Sequence, residues 1–209
     1  MKAASILLPA DFRKSFEPSG KTSEDVFDFL SRHGRVKAAH HCAAVAAAAG
    51  EIALRYGVPV DLAVQAGWLH DVSAVWVNDE RLAVSEAVGL DILPEERAAP
   101  FILHQKLSVV LAVEVFNVSD PGVLSAIGCH TTLKSGASVL DQVVFAADKL
   151  AWDQPGEAPY HAEMQAALTV SLTDSCRVYL RYLWGQRASL AVLHPWTLAA
   201  INDLGIIEN

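Results

Sequence analysis

Ala66-Gly67-Trp68-Leu69-His70-Asp71-Val72 sets an imidazole and a carboxylate side by side at the end of an apolar run. Apolar residues recur here at the three- and four-residue spacing of a helix, so the run reads as a buried helix with a polar last turn. Taking both groups out of water is costly unless something positive lies between them, and a divalent metal meets that need. Further ligands must then come from elsewhere in the fold.

Outward from this run the period stays helical, with no sustained two-residue alternation, so the fold class is all-α. Helices are expected over 23–32, 36–56, 60–71, 79–88, 100–116, 121–132, 138–152, 159–188 and 195–204. Asp120 before Pro121 supplies a cap and a proline at the first helical position, Ser138 with Asp141 forms a capping box, and Gly57-Val58-Pro59 stops the second helix. No repeat and no Pro-, Gly- or Ser-rich linker divides the chain. One domain is expected, with 1–22 as an irregular lead-in, 23–158 as the main helical body and 159–209 as a C-terminal helical extension of it.

At 209 residues, with 52% hydrophobic and 19% charged residues, the chain is long and apolar enough to fold around a core. A net charge of -8 gives no basic field for nucleic acid or an anionic membrane surface. Cys42, Cys129 and Cys176 lack metal-finger spacing and suit a reducing cytosol as buried thiols. The apolar start Met1 to Leu8 is cut by Pro9 and followed by Asp11, Arg13 and Lys14, too short for a signal sequence, and no stretch approaches a membrane span. A cytoplasmic protein is expected.

Helical spacing shows which polar residues face inward. His40 and His41 point about 100° apart. Steps from His41 reach Val45, Ala48, Ile52 and Tyr56, whereas the same steps from His40 reach Ala44, Ala47, Glu51 and Arg55, so His41 is the inward one. By the same test His70 lies over Ala66 and Ala63, His104 under Leu107, Ser108 and Leu111, His130 over Ile127, Ala126 and Val123, and Asp148 over Phe145, Val144 and Asp141. One inward histidine is usually an ordinary core residue, but a metal satisfies four histidines and two aspartates together. His33 and His40 read as exposed, His161 as part of a polar helix start, and His194 as a turn residue before Pro195.

The ordered set His41, His70-Asp71, His104, His130 and Asp148 resembles the HD-domain metal-dependent phosphohydrolase superfamily. Within that superfamily it is most similar to the YqeK type, the symmetrical diadenosine tetraphosphate hydrolases. The matching segments are His41-Cys42-Ala43-Ala44-Val45, Arg55-Tyr56-Gly57-Val58, Ala66 to Asp71, Leu103-His104, Ala126 to Thr132, Leu140-Asp141 and Ala147-Asp148-Lys149, within roughly residues 35–150. The resemblance implies an HD-domain helical bundle with a two-metal site. His41, His70, Asp71 and Asp148 would hold one ion, and Asp71 would bridge to a second held by His104 and His130. It also implies catalysis centred on Asp71 and His70 through a metal-activated bridging water, with iron as the first expectation and manganese, magnesium, cobalt, nickel or zinc as alternatives. The pattern departs at Gln105 and Leu133, where the YqeK type usually has glycines, and after Asp148, where it usually has a proline and a basic residue; both bulky residues are expected near the pocket.

Lys149, Lys106 and Lys134 are the substrate-contact candidates, while Arg35 and Lys37 read as solvated surface. Tyr179, Tyr182 and Trp184 read as core or as a helical face for a homodimer, with stacking on a base as the other reading. Three functions fit: hydrolysis of a small nucleotide phosphate ester or anhydride, above all a dinucleoside polyphosphate; a non-catalytic metal- and nucleotide-binding regulatory module; and a structural helical protein.

Overall fold

The computed structural model describes Phe12 and residues 16–207, so the signal-like start and most of the expected lead-in lie outside the described residues. Residues 16–21 are irregular, but Phe16 is buried. Eleven α-helices and no strand follow among the described residues: α1 Thr22–Arg32, α2 Val36–Tyr56, α3 Val60–Leu69, α4 Asn78–Ala87, α5 Pro94–Ala98, α6 His104–Glu114, α7 Pro121–Cys129, α8 Val139–Leu150, α9 His161–Leu168, α10 Leu172–Gly185 and α11 Pro195–Asp203. The fold is all-α. The expected caps form, with Asp120 Oδ1 accepting from Val123 N at 2.9 Å, and Ser138 and Asp141 bonding reciprocally at 2.8 and 3.1 Å. Gly57 ends α2 at φ 70°, a left-handed conformation open to a residue without Cβ.

α2 lies between α3 and α8, α7 packs on α3, α6 and α8, and α10 packs on α8, α9 and α11. The inward stripe of His41 becomes core, with Val45 and Ile52 buried, while Ala44, Ala47, Glu51 and Arg55 face solvent beside exposed His40. One apolar cluster runs from Phe16 and Phe29 through Val144 and Phe145 to Met164, Leu180 and Ile201. No helix among the described residues is long and apolar enough to cross a membrane. All three cysteines are free and buried.

Several boundaries differ from expectation. The helix expected over 159–188 is two helices, because Thr169 Oγ1 bonds Ala166 O at 2.7 Å and Ser171 Oγ caps α10 by accepting from Asp174 N at 3.2 Å. The expected 60–71, 100–116 and 121–132 helices stop or start at their histidines, and two short 3-10 turns, Val72–Val75 and Pro100–Leu103, fill the gaps. α5 was not expected. His33 is half-buried rather than exposed, its ring nitrogens lying 2.8 Å from Phe29 O and 3.2 Å from Phe12 O.

α5 carries a buried ionic knot. Glu96, fully buried, accepts from Leu93 N at 2.9 Å and Lys106 Nζ at 2.7 Å, and lies 3.3 Å from Nε2 of His194, which caps α11. Burial works against the Glu96 charge, but hydrogen bonds from His194 and Lys106 outweigh it and hold its pKa below the ordinary glutamate value. A depressed folded-state pKa stabilises the protein at neutral pH, and that stability is lost as pH falls through the glutamate range. Glu96→Ala leaves the Lys106 ammonium and the buried His194 ring without their shared acceptor and is expected to cost about 3–5 kcal/mol. Thermal melts against pH should show the wild type losing more stability than Glu96→Ala between pH 6 and 3; parallel curves would remove the knot's role.

Candidate metal centre

Three histidines sit where a helix or turn gives way, and each is held in the same manner. Nδ1 of His70 lies 2.7 Å from Gly67 O, Nδ1 of His104 lies 2.5 Å from Phe101 O, and Nδ1 of His130 lies 2.8 Å from Ile127 O. At α3 and α7 the ring takes up a carbonyl that the ending helix leaves unpaired. A carbonyl only accepts, so Nδ1 carries the hydrogen and Nε2 of the neutral ring is a bare lone pair.

The six expected ligands converge. His41 Nε2 lies 3.2 Å from Asp148 Oδ1 and 3.3 Å from His70 Nε2, and His70 Nε2 lies 3.6 Å from the same Asp148 oxygen. Asp71 joins the two halves: Oδ2 is 3.9 Å from His70 Nε2, and Oδ1 is 3.5 Å from His104 Nε2 and 3.7 Å from His130 Nε2. His41, His70 and Asp71 form one group with metal-ligand spacing, and Asp71, His104 and His130 form another.

The donor set fits a cation. Nε2 of His104 and Nε2 of His130 face each other at 3.0 Å although both Nδ1 hydrogens are directed to carbonyls. Thr131 Oγ1 can donate to His104 Nε2 at 2.8 Å, but that leaves the His130 lone pair unmet. Burial holds the pKa of His130 well below its usual value, with repulsion from His70 and His104 adding to it, and burial likewise lowers His104. Both carboxylates are held ionised: burial opposes this, but His70, His104 and His130 outweigh it at Asp71, and Lys149 and His41 at Asp148. His70 binds its proton more tightly than usual, since Asp71 and Asp148 overcome its burial. Neutral imidazoles at His104 and His130 beside ionised carboxylates suit metal binding, while at His70 the bound proton would have to leave as a cation enters.

The lysines separate. Lys149 is buried at the centre, its Nζ donating to Asp148 Oδ2 at 2.5 Å and His130 O at 3.3 Å. Lys106 is spent on Glu96 and on Asp91 O at 2.8 Å. Lys134 bonds Ser125 Oγ at 2.5 Å and pairs with Asp141 at 3.3 Å. Gln105 and Leu133 do not crowd the cavity beside the ligands. Gln105 is buried against Thr131 and Thr132, and Leu133, at φ 54°, turns into the core as its N–H closes α7 on Cys129 O at 2.8 Å.

A cavity of about 210 Å³ opens beside His41 and Asp148, walled by Lys149, Trp152, Tyr160 and Tyr179. Trp152 and Tyr160 were not singled out as site residues, because their loop carries no periodic signal; Tyr179 points into this space from α10. The rings of Tyr160 and Tyr179 meet edge to face at 4.8 Å. Among the described residues neither hydroxyl has a hydrogen-bond partner. A larger groove of about 560 Å³, between α1 and Trp68, contains none of the ligands.

The family model for the HD domain matches residues 38–153, more than half of the chain and the whole of the ligand set. The chain belongs to the HD domain family. This HD-domain protein is 43% identical over 139 residues to an uncharacterized protein in the pepC 5' region of Lactococcus lactis subsp. cremoris, covering 66% of this chain and 70% of that one. It also shares its fold with a predicted HD superfamily hydrolase involved in NAD metabolism from Clostridium acetobutylicum, known from a crystal structure. The TM-score is 0.79 at 23% identity, over 87% of this chain and 95% of that one.

Proposed function

We propose that this HD-domain protein is a metal-dependent phosphohydrolase acting on a nucleotide phosphate ester or anhydride, with symmetrical cleavage of a dinucleoside polyphosphate as the leading reaction. The observation that carries this reading is the sharing of Asp71 between two ligand groups, one with His41 and His70, the other with His104 and His130. Asp148 completes the first group through its contacts with His41 and His70. When bound, two transition ions, iron first among them, would supply Lewis acidity to phosphoryl oxygens and the means to acidify a water.

The chain's own residues do the rest. Carbonyls of Gly67, Phe101 and Ile127 aim three imidazoles, and Asp71 with adjacent His70 sits at the heart of the reaction. Lys149 locks the second oxygen of Asp148 and brings a positive charge to the cavity. Trp152, 40% exposed at the cavity wall, offers a flat face to a nucleobase, and the Tyr160 and Tyr179 hydroxyls offer free hydrogen bonds.

Elemental analysis of purified protein together with a nucleotide panel that includes diadenosine tetraphosphate tests the reading. Two ions per chain and release of nucleoside diphosphate are expected; metal-replete protein silent against the panel would sink it, and tight nucleotide binding without product would identify a regulatory module instead. Trp152→Ala is expected to raise KM about 10-fold with kcat little changed, since stacking on one base contributes about 1–3 kcal/mol. An unchanged KM would remove Trp152 from the binding surface.

A further inference from the structure

Two arginines, Arg81 beside His104 and Arg35 beside the turn after Asp71, form no ion pair among the described residues. Arg81, on α4, donates Nη1 to Phe101 O at 2.9 Å, the same carbonyl that faces Nδ1 of His104. Arg35, the residue before α2, donates Nη2 to Val75 O at 3.4 Å, at the end of the turn that follows Asp71. The Arg81 guanidinium feels both Arg35 and the Asp71 carboxylate. Burial lowers the pKa of Arg81, Arg35 adds repulsion, and Asp71 opposes both.

Nε of each arginine is buried and has no hydrogen-bond partner among the described residues. Neither forms an ion pair there, in a chain where 24 acidic residues outnumber 16 basic ones. Two like charges that repel one another, each with a buried N–H unmet, are costly unless an anion joins them, and the planar guanidinium fork suits a tetrahedral oxyanion. On this side the Asp71 side chain is 28% exposed, the most open of the candidate ligands, against 0% for His70.

We propose that Arg35 and Arg81 form an anion subsite that grips a phosphate group of the substrate beside Asp71 and His104. The proposal rests on the phosphohydrolase reading and gives that reading its phosphate anchor. The aromatic cavity lies on the His41 and Asp148 side, so the subsite would take the end of the substrate away from the stacked base. The positive charge sought in Lys106 and Lys134 is supplied here by arginines, because those lysines are held by Glu96 and Asp141.

The test titrates inorganic phosphate into the full-length, metal-loaded protein by calorimetry, comparing wild type with Arg35→Gln, Arg81→Gln, the double variant and Arg81→Lys. Metal content and melting temperature are measured alongside. Each single change is expected to weaken phosphate binding about 10-fold and the pair about 100-fold, with metal retained, from the strength of charge-assisted hydrogen bonds. Arg81→Lys, which keeps charge but loses the fork and has the best prospect of native folding, should recover only part of the loss. Unchanged affinity in the double variant, or no phosphate binding by wild type, overturns the subsite even if nucleotides are hydrolysed. Lost affinity supports it even if the nucleotide panel is silent, an outcome that sinks the hydrolase reading alone.

Discussion

Asp71→Ala is expected to strip both ions from the protein and lower hydrolysis by about 1,000-fold or more, because several kcal/mol of charge stabilisation leave with them. Among the described residues, Asp71 alone belongs to both candidate ligand groups. Its Oδ1 serves His104 and His130 while Oδ2 faces His70, so no neighbour replaces it in either half. His104→Ala cuts only the second group and leaves His41, His70, Asp71 and Asp148 in place, so about one ion per chain should survive. Elemental analysis after dialysis, with circular dichroism to verify folding, reads the difference directly. Asp71→Asn keeps the shape and removes the charge, and should lose metal like Asp71→Ala. Equal metal loss in Asp71→Ala and His104→Ala would contradict the bridging role of Asp71.

Gly67→Ala is expected to be the most damaging glycine-to-alanine change among the described residues. A Cβ at Gly67 would lie 2.7 Å from Ala46 Cα, 3.0 Å from Ala46 N and 3.2 Å from Val45 C, all backbone atoms of α2. Alanine adds helix propensity of up to about 1 kcal/mol, but overpacking against backbone costs about 1–3 kcal/mol or more, and here only separation of α2 from α3 relieves it. Net destabilisation should lower the melting temperature by about 3–10 °C for a chain of this size. The same separation pulls His41 on α2 away from His70 after α3, so metal affinity at that half should fall with stability. Gly50→Ala is the control, since its Cβ meets a side-chain methyl of Val64 at 3.0 Å, which an exposed-side repacking can relieve, and no backbone within 4 Å. A Gly67→Ala protein that melts like Gly50→Ala would show the packing to be looser than these distances imply.

The convergence of the six candidate ligands was legible because it rests on local period: His41, His104, His130 and Asp148 each fall on the inward stripe of their own segment, and the His70-Asp71 pair announces itself. The helix ends at His70, His104 and His130 were not legible. Whether a ring at position i turns back to a carbonyl at i−3 depends on what lies in front of its other nitrogen, and that is decided by other helices. Gln105 and Leu133 show the same limit, for their bulk was readable but not its direction, which the turn after His130 sets.

By itself, then, the sequence determined an all-α chain, its core stripes, its caps at Asp120 and Ser138, and six inward metal-binding candidates, since 3.6-residue periodicity and capping act within a few residues. Only the tertiary structure decided that Asp71 faces both histidine groups, that Lys149 rather than Lys106 or Lys134 reaches the centre, and that Trp152, Tyr160 and Arg81 lie around it. Those side chains come from loops and helices distant in sequence, and their directions are fixed by packing and electrostatics between elements, which no local pattern encodes.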